Sequence, residues 1–210
     1  MRSNIIILTQ PRCGGHMTLK VFEDMYPSHV NLYEHFSWQR QEIVPLNNSI
    51  QVALKKQPFI LKVTWWDLRN NYKKIAKLPC KFYYLKRTDP FEMVCSSYLA
   101  SITGTYHKHI NDESNSVDSI TIPKEYVDRF LSSDDPGGWY YMQKENNPMY
   151  PYVKGCKVLT YNDKTTPSMM HYQITGKHKD VTINFEKQYP SKESVVTNAD
   201  EVKQWIKNAR

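Results

Sequence analysis

A buried-looking strand that runs straight into a turn and a helix occurs twice in this chain, and that repetition constrains the fold most. The first case is an apolar run at 5–9, a turn at 10–16 (Gln10, Pro11, Arg12, Cys13, Gly14, Gly15, His16) and a helix expected over 17–26. The second is the apolar and aromatic run 82–85, the cation pair Lys86 and Arg87, then Asp89 and Pro90 as a helix N-cap and first-turn proline. Further apolar runs at 59–64 and 157–161 read as strands, with a short edge strand expected over 181–185. Helical spacing over 67–77 and 123–131, and at 199–207, alternates with them. Strand–helix alternation of this kind predicts an α/β fold: a parallel sheet of about four to five strands flanked by helices.

The two turns carry chemistry. Recognising phosphate takes backbone N–H groups aimed at oxygen, with a helix N-terminus behind them. Gly14 and Gly15 permit that close approach, and Arg12 adds a forked cationic donor. Cys13 and His16 complete the loop, with His16 as a donor at the helix start. At the second turn, Arg87 and Ser96 can hold one phosphate through a bidentate guanidinium pair and a hydroxyl. Ser97 takes the place of Ser96 if the helix is turned by one residue. Two phosphate-type sites suit a ligand with two separate phosphate ends. No Gly-Lys-Ser/Thr closes the first loop, which argues against nucleoside triphosphate hydrolysis.

In their order and spacing these segments resemble sulfotransferases that use 3'-phosphoadenosine 5'-phosphosulfate (PAPS). The loop after the first strand looks like the 5'-phosphosulfate loop. Arg87 followed by the helix serine looks like the 3'-phosphate motif. The spacing R-x-D-x-x-x-x-x-x-S is similar to that of the bacterial carbohydrate sulfotransferases typified by trehalose sulfotransferase. The likeness covers the first half of the chain well and the rest loosely. It implies a P-loop-like parallel sheet, PAPS as sulfuryl donor, a carbohydrate or glycolipid acceptor and no metal. It also implies that Glu34, in the stretch Tyr33, Glu34, His35, Phe36, takes the acceptor's proton. His35 is the competing base, because imidazole titrates near neutrality. Lys62, at a strand end, is expected to face the cleft near the reacting group or the acceptor. Where the family has hydroxyls in its first loop, this chain has Cys13, Gly15 and His16, so those contacts to the phosphosulfate are missing.

Bulk properties agree with an anionic ligand. The formal charge is +7 over 210 residues, which attracts anions. The basic residues are spread along the chain rather than gathered, which disfavours nucleic acid. Fifteen tyrosines and five tryptophans supply apolar area with polar tips, suited to a sugar or nucleotide pocket. The four cysteines Cys13, Cys80, Cys95 and Cys156 form no CxxC pair or metal box, which points to a reduced, cytoplasmic setting. No signal peptide and no membrane span is expected. The length fits a single domain over 1–210, with 108–155 as a loop and helical cap over the acceptor cleft and a polar loop over 108–122.

Overall fold

The structure is a computed structural model that describes residues 3–9, 13–32, 58–64, 77, 79–103, 117–132, 155–183 and 192–209. The chain divides into two compact units, Met1–Lys86 with Pro148–Phe185, and Arg87–Asn147 with Glu186–Arg210.

The first unit is built on a five-stranded parallel sheet. Its strands are β1 (Asn4–Thr9), β2 (Val30–Asn31), β3 (Phe59–Thr64), β4 (Cys80–Arg87) and β5 (Lys157–Tyr161), in the order β2-β3-β1-β4-β5. The α/β class expected from the sequence is therefore the observed one. Every residue of β1 is buried, as a strand covered on both faces requires, and its unbroken apolar run follows from that. β5 lies at the sheet's end and alternates, with Leu159 and Tyr161 buried and Thr160 exposed. Its outer edge is closed at Thr160 by the side chain of Gln173. Gln173 Oε1 accepts from Thr160 N at 2.6 Å and Nε2 donates to Thr160 O at 2.9 Å, so the carboxamide stands in for the peptide group of a missing strand.

β1 pairs with β3 on one side, Thr9 opposite Thr64, and with β4 on the other, Thr9 opposite Leu85. The connection leaving β1 leads to β2 on one side of the sheet, and the one leaving β4 leads to β5 on the other. The strand order thus reverses between β1 and β4, at the carboxyl ends where open α/β sheets bind their ligands. Helix α1 (Gly15–Met25) packs on β1 and β3. A helix the sequence reading passed over, which we label α4 (Pro167–Thr175), packs on α1 and β5.

The second unit contains α2 (Pro90–Thr103), α3 (Lys124–Leu131) and α5 (Ala199–Asn208), each in contact with the other two. Asn198, before α5, uses its carboxamide on the N–H and C=O of Ile122 at 3.0 and 2.9 Å.

Two expectations are corrected. Val181 to Ile183 are not strand, because the Val181 N–H is taken by Ser168 Oγ of α4 at 2.9 Å rather than by a neighbouring strand. The polar stretch expected as a loop to residue 122 ends in packed chain. Ile120 forms a parallel bridge with Val196, and Ile120 and Ile122 are buried. The helix expected over 67–77 lies outside the described residues except for residue 77.

Candidate functional site

The first site grows from the end of β1. Cys13 is buried, and the chain turns at Gly14, whose φ of 73° is left-handed. Glycine adopts that conformation at no steric cost. A second constraint acts on the same residue. A Cβ at Gly14 would stand 2.4 Å from the ring of Tyr161, the last residue of β5. Gly14 is the N-cap of α1, which receives no side-chain cap and has no acidic residue in its first turn. Its dipole end carries no carboxylate of its own. His16 falls in the first turn of α1 rather than before the helix.

Lys62 comes to the same place from β3. It lies opposite Ile7 in the β1–β3 ladder and is only 4% exposed, which sets it apart from a lysine that reaches for solvent. A Cβ at Gly15 would stand 2.9 Å from Lys62 Cδ and 3.4 Å from Nζ. The absence of a side chain at Gly15 therefore makes room for the buried ammonium at the start of α1. Burying a cation is costly without anionic or hydrogen-bonding partners, and Lys62 does have polar interactions. Tyr84 of β4 is close enough to Cys13 for their ionisations to oppose each other. Burial, and then Cys13, pushes the Tyr84 hydroxyl far above its ordinary range, so it remains a neutral donor.

The second site lies wholly in the second unit. Asp89 caps α2, its Oδ1 accepting from Phe91 N at 2.9 Å and Glu92 N at 3.3 Å. The cap and first-turn proline expected from the sequence are both present. Arg87 is 2% exposed, and its Nη2 donates to Glu92 Oε2 at 2.7 Å. Sequence reasoning did not single out Glu92. An acid in the third position of a helix five residues after an arginine was the signal for it. Ser96 follows Glu92 by one helical turn, on the same face, and is buried. Ser97 looks elsewhere: its hydroxyl accepts from Tyr126 of α3 at 2.9 Å. Of the two serines, Ser96 shares Arg87's side of the helix. Cys95 is buried beside them. Its thiol is pushed up to about 12, first by desolvation and then by Glu92, with Lys192 and Arg87 acting in the opposite sense.

The structure thus brings Gly14, Gly15 and Lys62 together at one helix start, and at the other it places Ser96 one turn beyond the Glu92 that pairs with Arg87. Arg12, Glu34 and His35 lie outside the described residues. None of the four cysteines is in a disulfide. Among the described residues no His, Cys, Asp and Glu grouping could hold a metal, and no helix is long and apolar enough to cross a membrane. No protein-family model and no curated protein matches the chain.

Proposed function

We propose that this protein is a PAPS-dependent sulfotransferase acting on a hydroxyl of a carbohydrate or glycolipid. The observation that carries the reading is the start of α1: a buried lysine beside a glycine, at a helix whose N-cap offers no side chain and whose first turn holds no acid. That combination favours an anion. Its position after β1, where the strand order reverses, adds support.

On this reading the loop after β1 holds the 5'-phosphosulfate, with backbone N–H groups, Arg12 and Lys62 as donors. Gly15 suits that role, because a side chain there would displace the ammonium. Arg87 and Ser96 hold the 3'-phosphate. The donor supplies a sulfuryl group whose S–O bond to the phosphate breaks as a bond to the acceptor oxygen forms, releasing adenosine 3',5'-bisphosphate. The acceptor's proton passes to Glu34, or to His35 as its competitor. Lys62 offsets charge growing on the bridging oxygen. The expected setting is the cytoplasm, with a small or carbohydrate acceptor and no nucleic-acid partner.

One observation favours a second reading, a non-catalytic nucleotide- or polyanion-binding protein: the cation of the second site already holds a carboxylate, Glu92. Two experiments separate the readings. Adenosine 3',5'-bisphosphate at a hundred times its dissociation constant should raise stability by about 2.7 kcal/mol. Labelled PAPS should then pass its sulfuryl group to a carbohydrate acceptor. Binding without transfer to any acceptor favours the second reading, and neither binding nor transfer removes both.

A further inference from the structure

We infer that Glu92 is a built-in placeholder anion, occupying Arg87 until a phosphate displaces it and so setting the affinity of the second site. The inference rests on the 3'-phosphate reading of Arg87 and Ser96.

Burial decides which partner of the ion pair can move. The Arg87 side chain is 3% exposed and that of Glu92 is 12%. Arg87 is the terminal residue of a sheet strand, whereas Glu92 lies in the first turn of a helix with its carboxylate closer to water. When an anion arrives, the arginine stays and the glutamate swings out. Coulomb's law makes that exchange necessary. A carboxylate and a phosphate dianion on one guanidinium repel strongly where solvent screening is weak. Nor can the phosphate take the helix N–H groups instead, because Asp89 already accepts from Phe91 and Glu92. It must use the side chains of Arg87 and Ser96, and the first of these is held by Glu92.

Other charges fit this exchange. Cys95, beside Ser96, feels the positive charge of both Arg87 and Lys192, and Lys192 is itself buried. Two cations therefore act on this stretch of α2 against the carboxylates of Glu92 and Asp89, and withdrawing Glu92 makes the local balance more positive. Glu92 is also favourably placed in the first turn of α2, which helps it compete. A site open about a tenth of the time binds about tenfold more weakly than an open one.

The test is calorimetric titration of the full chain and its Glu92→Gln variant with adenosine 3',5'-bisphosphate and with 5'-AMP. Wild type should prefer the bisphosphate, and Glu92→Gln should widen that preference about tenfold, the loss of the occupancy tax. 5'-AMP affinity should not move. If wild type prefers the bisphosphate but Glu92→Gln leaves the preference unchanged or narrows it, Glu92 only positions Arg87 and the inference is overturned. If wild type shows no preference, the 3'-phosphate reading itself falls, and the inference with it. Glu92→Asp guards against a variant that does not fold. It keeps the charge on a shorter stem, loosens the hold on Arg87, and should widen the preference by a smaller factor. No widening in a folded Glu92→Asp protein counts against the placeholder in the same way.

Discussion

The starts of α1 and α2 follow buried strands in the same sheet, yet they are furnished in opposite ways. At α1 the cap is a left-handed glycine that offers no side-chain bond, the first turn holds no acid, and a buried lysine stands alongside. At α2 the cap is Asp89, a proline fills the first position, and Glu92 brings a second carboxylate that pairs with the buried arginine. One helix has no carboxylate in its cap or first turn, and the other has two. Sequence motifs that look alike, strand then turn then helix with a cation nearby, therefore need not be equally ready for ligand. What separates them is where the carboxylates are.

The largest effect expected is at Gly14. Gly14→Val puts a branched side chain at φ 73° and 2.4 Å from the Tyr161 ring. Left-handed strain and overpacking together cost roughly 2–6 kcal/mol, which lowers Tm by roughly 4–24 °C for a chain of this size. Tyr161→Ala in the same protein should recover the part due to overpacking and leave the backbone strain. Thermal unfolding of the single and double variants checks this. An unchanged Tm in Gly14→Val would mean that Tyr161 does not pack there. Any loss of ligand in this variant reports on packing as well as on binding, so Gly14 is a poor probe of the anion site.

Lys62 is a better one, and the next effect in size. Lys62→Met keeps the stem and removes the charge. Losing a charge-assisted hydrogen bond costs about 1.5–3 kcal/mol, so affinity for adenosine 3',5'-bisphosphate should fall roughly ten- to a hundredfold. Stability should fall as well, because the buried lysine's polar partners lose their donor, so affinity is measured on protein shown to be folded. The comparison between the helix starts breaks if the affinity survives while the protein folds normally, for then the lysine serves only the core.

How much of this was visible beforehand depended on distance along the chain. The strands at 59–64 and 157–161 were readable with their observed limits, because each is an apolar run bounded by a turn former, Pro58 before the first and Asn162 after the second. β2 was not. Two residues carry no pattern, and Val30–Asn31 is held by bonds such as Val30 N to Pro58 O at 2.9 Å. α4 was readable and was missed: Thr166 is a cap whose Oγ1 accepts from Met169 N, Pro167 opens the helix, and Gly176 closes it in the left-handed region. Gly14, Gly15, Arg87 and Ser96 were picked from local sequence, and the turn chemistry that flagged them is local too. Tyr161 against Gly14, Lys62 against Gly15 and Ser97 against Tyr126 are contacts between residues far apart in the chain. No local pattern encodes them.

The charged second site also makes a prediction about alkali. The Cys95 thiol is raised from 9.0 to about 12 by burial. The folded protein holds this proton more tightly than the unfolded chain. The contribution to stability is thus fully present below pH 9 and is lost as the pH climbs from 9 towards 12. One unit of that window is worth about 1.4 kcal/mol. Cys80 is likewise pushed up to about 12 by burial, so Cys95→Ala should remove only its own share of the decline in stability above pH 9. Urea titrations at pH 8 and pH 10 give the two slopes. Equal pH dependence in wild type and variant would show that Cys95 does not titrate on unfolding.

The smallest effect is the most discriminating, and it lies at Gly15. The residue is the first of α1 and no positive φ is required there, so alanine suits the backbone. Helix propensity favours alanine by up to about 1 kcal/mol. Against it stands Lys62, whose Cδ would lie 2.9 Å from the new methyl group. The stem is flexible, so the lysine shifts rather than the helix. These terms nearly cancel, and stability should change by less than about 1 kcal/mol. Anion binding has no such compensation, because the ammonium moves away from the helix start that it serves. Gly15→Ala should therefore weaken adenosine 3',5'-bisphosphate severalfold in a protein of normal Tm, and adding Lys62→Met should cost little more, since both changes remove the same contact. Additive losses in the double variant would mean that glycine and lysine act separately, and that the open start of α1 does not depend on the cation beside it.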